Sequence, residues 1–573
     1  MITIEVNGRQ VQALEGEMLL GVLQREGLNI PTLCNLKNLT PTGACRMCVV
    51  EMGGARSLVA SCAYPVTQSV KVKTHSKRVL RARRTVLELM LATHVDDCLY
   101  CDRGGQCELQ HLTTELGVDP RRLVGRKKPV NVDRTSKSII RDSSKCVNCG
   151  RCIGVCRQVQ NVGTLSFIGR GNSVTVGAAF NAPMGESSCI NCGQCILVCP
   201  TGALTEQYHL KNVVAALEDP ETVVVVQHAP SVSVSIAEEF GVEPGRDYDG
   251  LMTAALRWIG FDKVFDTGFS ADLTIMEEAS ELVRRVTKGG ALPLFTSCSP
   301  GWIKFMEQTF PHLLPHVSTC KSPMSMLGAL VKGYFAPAQG INPKKVFSVA
   351  VMPCTAKKFE ASRPEMGHNG LADIDAVLTT RELARLLRRR GVNFNTLQPE
   401  VPDSPFGERT TAGKLFGASG GVMEAALRTG YYFIKGENLP ALEITALRGF
   451  DNHKELTVKI GDLELGVAVV NGLKAARTLV EEVENGRKDL HFIEVMTCPG
   501  GCVCGGGQPL GADFEALKAR MQALYDIDAA ETKRQSHENE EIIRLYKEFL
   551  KEPLGENSHH LLHTHYAERN LVL

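Results

Sequence analysis

The sequence predicts a multidomain chain that mixes α+β and α/β parts, and three observations carry that reading. Its 573 residues exceed what one core organises, at roughly 100–200 residues per domain. It holds 21 cysteines, fifteen of them in the first 200 residues and ten of those at Cys-x2-Cys spacings. Beyond about residue 210, short apolar runs ending in Cys, Pro or Gly alternate with amphipathic stretches, as parallel strands do when their C-terminal ends build a site.

Bulk properties narrow the class. A hydrophobic content of 43% supplies a sizeable core. The 64 basic and 63 acidic residues leave a formal charge of +1, which gives no electrostatic case for nucleic acid or an anionic membrane. The start, MITIEVNGRQV, alternates like a strand and lacks the basic start and apolar run of a signal peptide. The longest β-branched run, Val223 to Val226, is far too short to span a bilayer. The expectation is a soluble, cytoplasmic protein with no membrane and no nucleic-acid partner. In that compartment dense Cys-x-x-Cys spacing points to metal rather than to disulfides.

Residues 1–78 read as a hairpin, a helix and then four cysteines, Cys34, Cys45, Cys48 and Cys62. The tight Cys45–Cys48 pair lies in GACRMC, where small residues let backbone wrap a cluster. Plant-type ferredoxins use a related loop, so a 2Fe–2S ferredoxin-like domain of β-grasp type is expected. Tetrahedral zinc, the rival, fits the spacing less well. In residues 79–136 a basic helix, SKRVLRARRTVLELMLATH, leads to His94, Cys98, Cys101 and Cys107. Spacing alone leaves zinc and a 4Fe–4S cluster both open there.

Residues 137–209 carry CVNCGRCIGVC and CINCGQCILVCP. Each is C-x2-C-x2-C-x3-C, the two-cluster ferredoxin run in which each fourth cysteine serves the other cluster. Cys146, Cys149, Cys152 and Cys199 are then expected on one 4Fe–4S cluster, and Cys189, Cys192, Cys195 and Cys156 on the second. With these as neighbours the balance at His94 tips to iron and sulfur, giving one 2Fe–2S and three accessory 4Fe–4S clusters. Such a series makes sense as an electron wire, and something at its end must supply or consume electrons.

Residues 210–510 read as an α/β domain, with TVVVVQHAP, LPLFTSCSP, VFSVAVMPC, LGVAVVNG and HFIEVMTCPGGC as its strands. Three of these end at Cys298, Cys354 and Cys498, and Cys502 follows. Isolated core cysteines are common, but that reading explains poorly why each is flanked by Gly or Pro. Residues 511–573 read as a helical segment wrapping this domain.

FTSCSPGW, VMPCTAKKFE and EVMTCPGGCVCGGGQP resemble the three signature segments of FeFe-hydrogenases. The similarity continues through DKVFDTGFSADLTIMEEA, DIDAVLTTRELARLL, FGASGGVMEAALR and SHENEEIIRLYKEFL. It implies a two-lobed α/β domain for an H-cluster, a 4Fe–4S cubane joined through a thiolate to a diiron unit with CO, cyanide and a bridging azadithiolate. It further implies that Cys354, Cys498 and Cys502 are cubane ligands, with Cys502 bridging to the diiron unit. Lys357 matches the lysine that contacts a cyanide. Met352, Met496 and Phe416 match apolar packing at the diiron unit, and Pro230 and Ser231 the loop beside its amine. Glu278, Glu281, Ser318 and Arg285 match a proton route.

The chain departs from the family pattern in one conspicuous place. Relatives read T-S-C-C-P, the first cysteine relaying protons and the second ligating the cubane. In strict register Cys298 is the relay and Ser299 falls at the ligand position. Iron prefers thiolate, and a serine hydroxyl loses its proton far less readily than a thiol of pKa about 8.5. Three readings stand open: Ser299 ligates as an alkoxide, the loop shifts so that Cys298 ligates, or the H-cluster is altered or absent. Met324 stands where relatives often carry a cyanide-binding glutamine, and His228 and Ser233 also depart. Cys320 and Cys504 are left as ordinary buried or loop thiols.

The resemblance implies reversible oxidation of H2 to protons and electrons. No flavin or nicotinamide fingerprint is evident, so ferredoxin, or flavin- and NAD(P)-binding partner subunits in a hetero-oligomer, are expected to exchange the electrons. This layout is similar to catalytic subunits of NADP-reducing, electron-bifurcating hydrogenases. The rival functions are a low-turnover H2 sensor and a non-catalytic iron–sulfur relative.

Overall fold

The computed structural model describes residues 1–118, 122–460 and 463–570. The chain divides into two compact units. The first contains residues 1–187 and 198–205, the second residues 188–197 and 206 onward.

In the first unit the alternation of Ile4 and Val6 against Val11 and Ala13 sends one face of the hairpin Ile2–Val6/Arg9–Ala13 into a core. Side chains two apart share a face of a strand. The helix Leu19–Arg25 covers that core with Leu19, Leu20, Val22 and Leu23. The full sheet runs Arg9–Ala13, Ile2–Val6, Lys71–Lys73, Val49–Met52, Val59–Ala60, with Ile2–Val6 and Lys71–Lys73 parallel. The expected hairpin and helix are therefore present. The basic helix runs Lys77–Thr93. It starts where the Ser76 hydroxyl accepts from the Val79 amide and ends with His94 at its C-cap.

The second unit holds two four-stranded sheets. The first orders Lys263–Asp266, Val223–His228, Val346–Met352 and Ala376–Thr379, all parallel. Its strands are almost wholly apolar because both faces are buried. The second orders Leu294–Phe295, Phe492–Met496, Leu463–Asn471 and His453–Ile460. Its first three strands are parallel, and a hairpin adds the fourth antiparallel. Every run read as a strand from the sequence is one. Their separation into two sheets was not legible in the runs themselves. Among the described residues no helix is long and apolar enough to cross a membrane.

The helix Thr267–Lys288 is buried along most of its length. It carries four carboxylates inward, and two of them fasten the C-terminal segment. Asp272 accepts from the Thr410 amide and from Thr410, Ser536 and Asn539 side chains. Glu277 accepts from the Tyr546 hydroxyl at 2.5 Å, the Leu554 amide at 2.8 Å, His563 Nε2 at 3.1 Å and the Ser558 hydroxyl. A buried acceptor serving four groups leaves all four unsatisfied when it is removed. Glu277→Ala is expected to loosen residues 540–563 by about 3 kcal/mol or more. Hydrogen exchange measures this as lost amide protection in those residues, with protection retained in Val346–Met352.

Candidate functional site

In the first unit the four cysteines of the N-terminal domain converge. The Leu33 amide points at Cys45 Sγ at 3.4 Å and the Cys45 amide at Cys34 Sγ at 3.5 Å. Cys62 interacts with both Cys34 and Cys48. Amides aimed at sulfur favour the thiolate state that iron requires. Cys107 interacts with both Cys98 and Cys101. His94 Nδ1 lies 2.8 Å from the Val95 carbonyl, while its buried Nε2 has no partner. Donation from Nδ1 fixes the tautomer that leaves a lone pair on Nε2, the arrangement of a ligating histidine. Burial also lowers the pKa of His94 and keeps it neutral. A Cβ on Gly202 would meet Cys101 Sγ at 2.5 Å, so a side chain there would fill the cradle. Cys146, Cys149, Cys152 and Cys199 line one cavity, the same four that the exchanged pairing groups. Cys189, Cys192 and Cys195 belong to the second unit and Cys156 to the first.

In the second unit one apolar cavity gathers the strand ends. Cys354, Cys498 and Cys502 line it together with Cys298 and Ser299. So do Lys357, Met352, Met496, Phe416, Pro230, Ser231 and Met324. These side chains come from segments up to about 270 residues apart, which parallel strands deliver to one side.

The three outer-sequence cysteines act on one another. Cys498 feels Cys354 and Cys502, and Cys502 feels Cys354. Burial pushes the Cys502 thiol up to about 12 and raises Cys354 and Cys498 as well. Such thiols keep their protons until a cation replaces them. Lys357 opposes the rise at Cys354 and Cys502. Its Nζ donates to Glu360 at 2.7 Å and to the Cys298 carbonyl at 3.1 Å. The buried Ser231 hydroxyl in the wall has no partner. Four thiols, a lysine, an orphan hydroxyl and a mostly apolar lining fit an anionic metal cofactor.

Behind Cys298 lies a line of proton-bearing groups. Burial, then the Glu281 charge, pushes Glu278 up to about 8, and neither of its oxygens has a hydrogen-bond partner. Ser318 and the Ser297 amide lie near enough to temper that rise without reaching bonding geometry. Ser318 donates to Glu281 at 2.9 Å, and Arg285 holds the other Glu281 oxygen at 2.6 Å. The charged group that weighs most on Cys298 is Glu278, and burial with that charge raises the thiol well above its ordinary value. The structure thus brings Cys298, Glu278, Ser318, Glu281 and Arg285 into one sequence.

The remaining departures fall around the cavity. Met324 is fully buried in its wall and its carbonyl accepts from Gln227 at 3.0 Å. Its side chain offers no donor. His228 lies outside the lining, with Nδ1 3.6 Å from Asp249. Ser233 donates to the Pro230 carbonyl at 3.1 Å and accepts from Lys414 at 2.9 Å. Cys320 and Cys504 are both buried.

Several contacts escaped the sequence reading. Gln194, between Cys192 and Cys195, donates to Cys498 Sγ at 3.2 Å and to the Cys504 carbonyl at 2.9 Å. Thr497 touches Ser299. Glu494, fully buried, accepts from the Gly420 and Met423 amides and is pushed up to about 7 by burial. Only Glu360 carried a local signal, standing three residues after Lys357 on one helix face.

Comparisons with known proteins place the chain in a family. Residues 222–506 match the iron only hydrogenase large subunit, C-terminal domain, and residues 514–569 the iron hydrogenase small subunit. Residues 1–77 match a 2Fe-2S iron-sulfur cluster binding domain. Residues 83–122 match the NADH-ubiquinone oxidoreductase-G iron-sulfur binding region, and residues 136–205 the ferredoxin-like domain of NADH-quinone oxidoreductase subunit 3. The NADP-reducing hydrogenase subunit HndD of Solidesulfovibrio fructosivorans is 48% identical, the match covering 99% of each chain. Iron hydrogenase 1 of Clostridium pasteurianum is 40% identical over 99% of this chain and 100% of that one. An FeFe-hydrogenase HydA1 structure from Chlamydomonas reinhardtii superposes with a TM-score of 0.58 at 42% identity, covering 63% of this chain and 99% of its own. The chain belongs to the iron-only, or FeFe, hydrogenases.

The raised carboxyl has a consequence for stability. Folded Glu278 binds its proton up to about pH 8, whereas an unfolded glutamate releases it near 4.3. The native state therefore holds more protons across that window, and stability falls as pH rises through it. Thermal unfolding of the cofactor-free chain, followed from pH 4.5 to 8, is expected to show this decline. The decline should be shallower in Glu278→Gln, which cannot ionise.

Proposed function

We propose that this chain catalyses reversible oxidation of H2, with Cys354, Cys498 and Cys502 holding the cubane of an H-cluster and with iron–sulfur clusters in the N-terminal domains carrying the electrons. One observation supports this most: a single apolar cavity is lined by those three thiols and Lys357 and is backed by an unpartnered, neutral-leaning carboxyl on a buried helix. When bound, the diiron unit supplies the redox site at which two protons and two electrons interconvert with H2.

The residues of the chain do the rest. Met352, Met496, Phe416 and Pro230 exclude water from the cavity. Lys357, anchored by Glu360, places a fixed positive charge where an anionic ligand belongs. Gln194 donates to Cys498 and steadies its anionic form. Cys298 takes or gives a proton at the cavity edge. Glu278, close to half-protonated just above neutral pH, can then act as either donor or acceptor. Ser318 bridges onward to Glu281, and Arg285 orients Glu281 at the outer end, its own side chain 10% exposed. The accessory ligands are Cys34, Cys45, Cys48 and Cys62 for a 2Fe–2S cluster, His94, Cys98, Cys101 and Cys107 for a 4Fe–4S cluster, and the two ferredoxin groups given above. The 48% identical relative is named as a subunit of an NADP-reducing enzyme. By that analogy this chain exchanges electrons with flavin- and NAD(P)-binding subunits in a hetero-oligomer.

A second reading, H2 sensing at low turnover, draws on Met324, which replaces a donor with a thioether in the cavity wall. Maturation of the full chain with a diiron complex separates the two. Infrared CO and CN bands are expected, with H2 evolution from reduced methyl viologen. Loaded bands with negligible turnover would favour the sensor, and absent bands would leave only an electron conduit. Glu281→Ala is expected to lower turnover by about 10²-fold or more while the infrared bands stay in place.

A further inference from the structure

We propose that Ser299 is the fourth protein ligand of the cubane, bound through Oγ and held by Thr497, and that Cys298 remains a free thiol on the proton line. This rests on the hydrogenase reading above and concerns the most conspicuous position where the chain breaks its family pattern.

The argument begins with strand register. Leu294 pairs with Phe492 and Phe295 with Ile493 in a parallel ladder. The offset is 198 residues in both pairs. It persists past the strand end, where Ser299 Oγ lies 2.7 Å from Thr497 Oγ1, again 198 residues away. The loop therefore leaves the sheet in step with its neighbour. Level with Ser299 stands Thr497, the residue directly before the ligand Cys498. A one-residue slip would exchange the faces on which Cys298 and Ser299 project.

Several contacts oppose such a slip. Lys357 Nζ holds the Cys298 carbonyl at 3.1 Å, and Ser297 Oγ holds the Cys320 carbonyl at 2.6 Å. Trp302 Nε1 donates to the Thr296 carbonyl at 3.2 Å, and Thr296 Oγ1 accepts from the Val495 amide at 3.1 Å. A Cβ on Gly301 would meet Thr497 Oγ1 at 2.9 Å, so no bulkier residue can move into that place. The loop is pinned on both sides of the Cys298–Ser299 pair.

The two side chains also keep different company. The Cys298 side chain packs with the apolar cluster of Ile275, Phe416 and Met496, and Glu278 is its strongest charged neighbour. Ser299 occupies the N-cap of the helix Pro300–Thr309 yet makes no capping bond. A serine at an N-cap ordinarily turns its oxygen to the helix amides. Here the oxygen is turned away, toward the Thr497 hydroxyl and, at 3.3 Å, the Thr497 amide. The Thr497 amide donates to the serine oxygen and the Thr497 hydroxyl is placed to do so once Ser299 gives up its proton, an arrangement that favours the anionic, metal-binding form. The bond is made by ligand exchange. As a cluster is delivered, an iron–oxygen bond to Ser299 forms while an iron–sulfur bond to the delivering thiolate breaks, and the hydroxyl proton leaves on that thiol. No oxidant or reductant is required.

The test uses the full chain reconstituted with ⁵⁷Fe and sulfide, without the diiron unit. Mössbauer difference spectra and cubane reduction potentials are compared between the natural chain and variants, so that the accessory clusters cancel. Ser299→Cys is expected to convert one iron of the cubane from oxygen to sulfur ligation and to raise its potential. Ser299→Ala is expected to speed loss of cubane iron to a chelator by about ten-fold or more. Thr497→Val, which removes one donor from the oxygen, should lower the potential. Cys298→Ala should leave the cubane spectrum as it was. If Cys298→Ala moves the spectrum and Ser299→Cys does not, Cys298 is the ligand and the proposal fails. If neither moves it, the fourth site belongs to no residue of this loop, and the proposal fails again. If the natural chain, fully reconstituted, holds no cubane iron beyond that of its accessory clusters, the hydrogenase reading itself falls.

Discussion

The second unit depends on one constraint: thiols far apart in the chain must reach a single apolar cavity with their backbone polar groups satisfied. Parallel strands meet it. Val223–His228 and Val346–Met352 end on the same side of one sheet, as do Leu294–Phe295 and Phe492–Met496 of the other. The cysteine loops begin where the ladders stop, so each cysteine leaves from hydrogen-bonded backbone. Placing ligands on the ends of rigid strands also fixes their spacing more tightly than free loops could. The register that carries Phe295 beside Ile493 carries Ser299 beside Thr497.

That arrangement leaves much charge in the interior, and the helix Thr267–Lys288 shows how it is managed. Asp272 and Glu277 lie buried on it and are saturated with donors from the C-terminal segment. Glu281 is likewise paired, with Arg285, Ser318 and the Thr319 amide. Glu278, between them in sequence, has none. A buried carboxyl without partners is costly when ionised and holds its proton. One turn of helix therefore supplies both a fixed anchor and a labile acid, and the difference lies in the neighbours rather than in the residue. The C-terminal segment takes part as well, because removal of the stretch around Tyr546 and Ser558 would strip the donors from Glu277.

Much of this was legible in the sequence. The doubled cysteine run, the strand-end cysteines and the three signature segments depend on local spacing, and local spacing is what a sequence displays. The helix that ends at His94 and the hairpin at the N-terminus could be read for the same reason. What stayed hidden was contact across distance. Gln194 reaches Cys498 over 304 residues, and Thr497 reaches Ser299 over 198. Neither residue type announces such a role. Glu494 looks like an ordinary charge between apolar neighbours until the Gly420 and Met423 amides close on it. The apolar strands gave their existence away but not their division into two sheets, since a run buried on both faces carries no mark of its partner.

The serine at the ligand position is best understood against that background. In a flexible loop a Cys-to-Ser exchange would invite the adjacent cysteine to take over, since iron favours sulfur. Here the takeover would have to break the Lys357, Trp302 and Thr497 contacts together and carry Cys298 out of the pocket beside Glu278. It would also empty the proton line of its innermost group, leaving Glu278 buried with nothing between it and the cavity. On the proposed reading the fold sets two demands on adjacent residues, one for a ligand and one for an acid, and the pinned backbone gives each its own side. An oxygen at the ligand corner would then donate more charge to iron than sulfur does, and donation from Thr497 would offset part of that by drawing charge back. A change at one atom of the site would in this way be absorbed by its nearest neighbour, while the Cys298 thiol keeps its place beside Glu278.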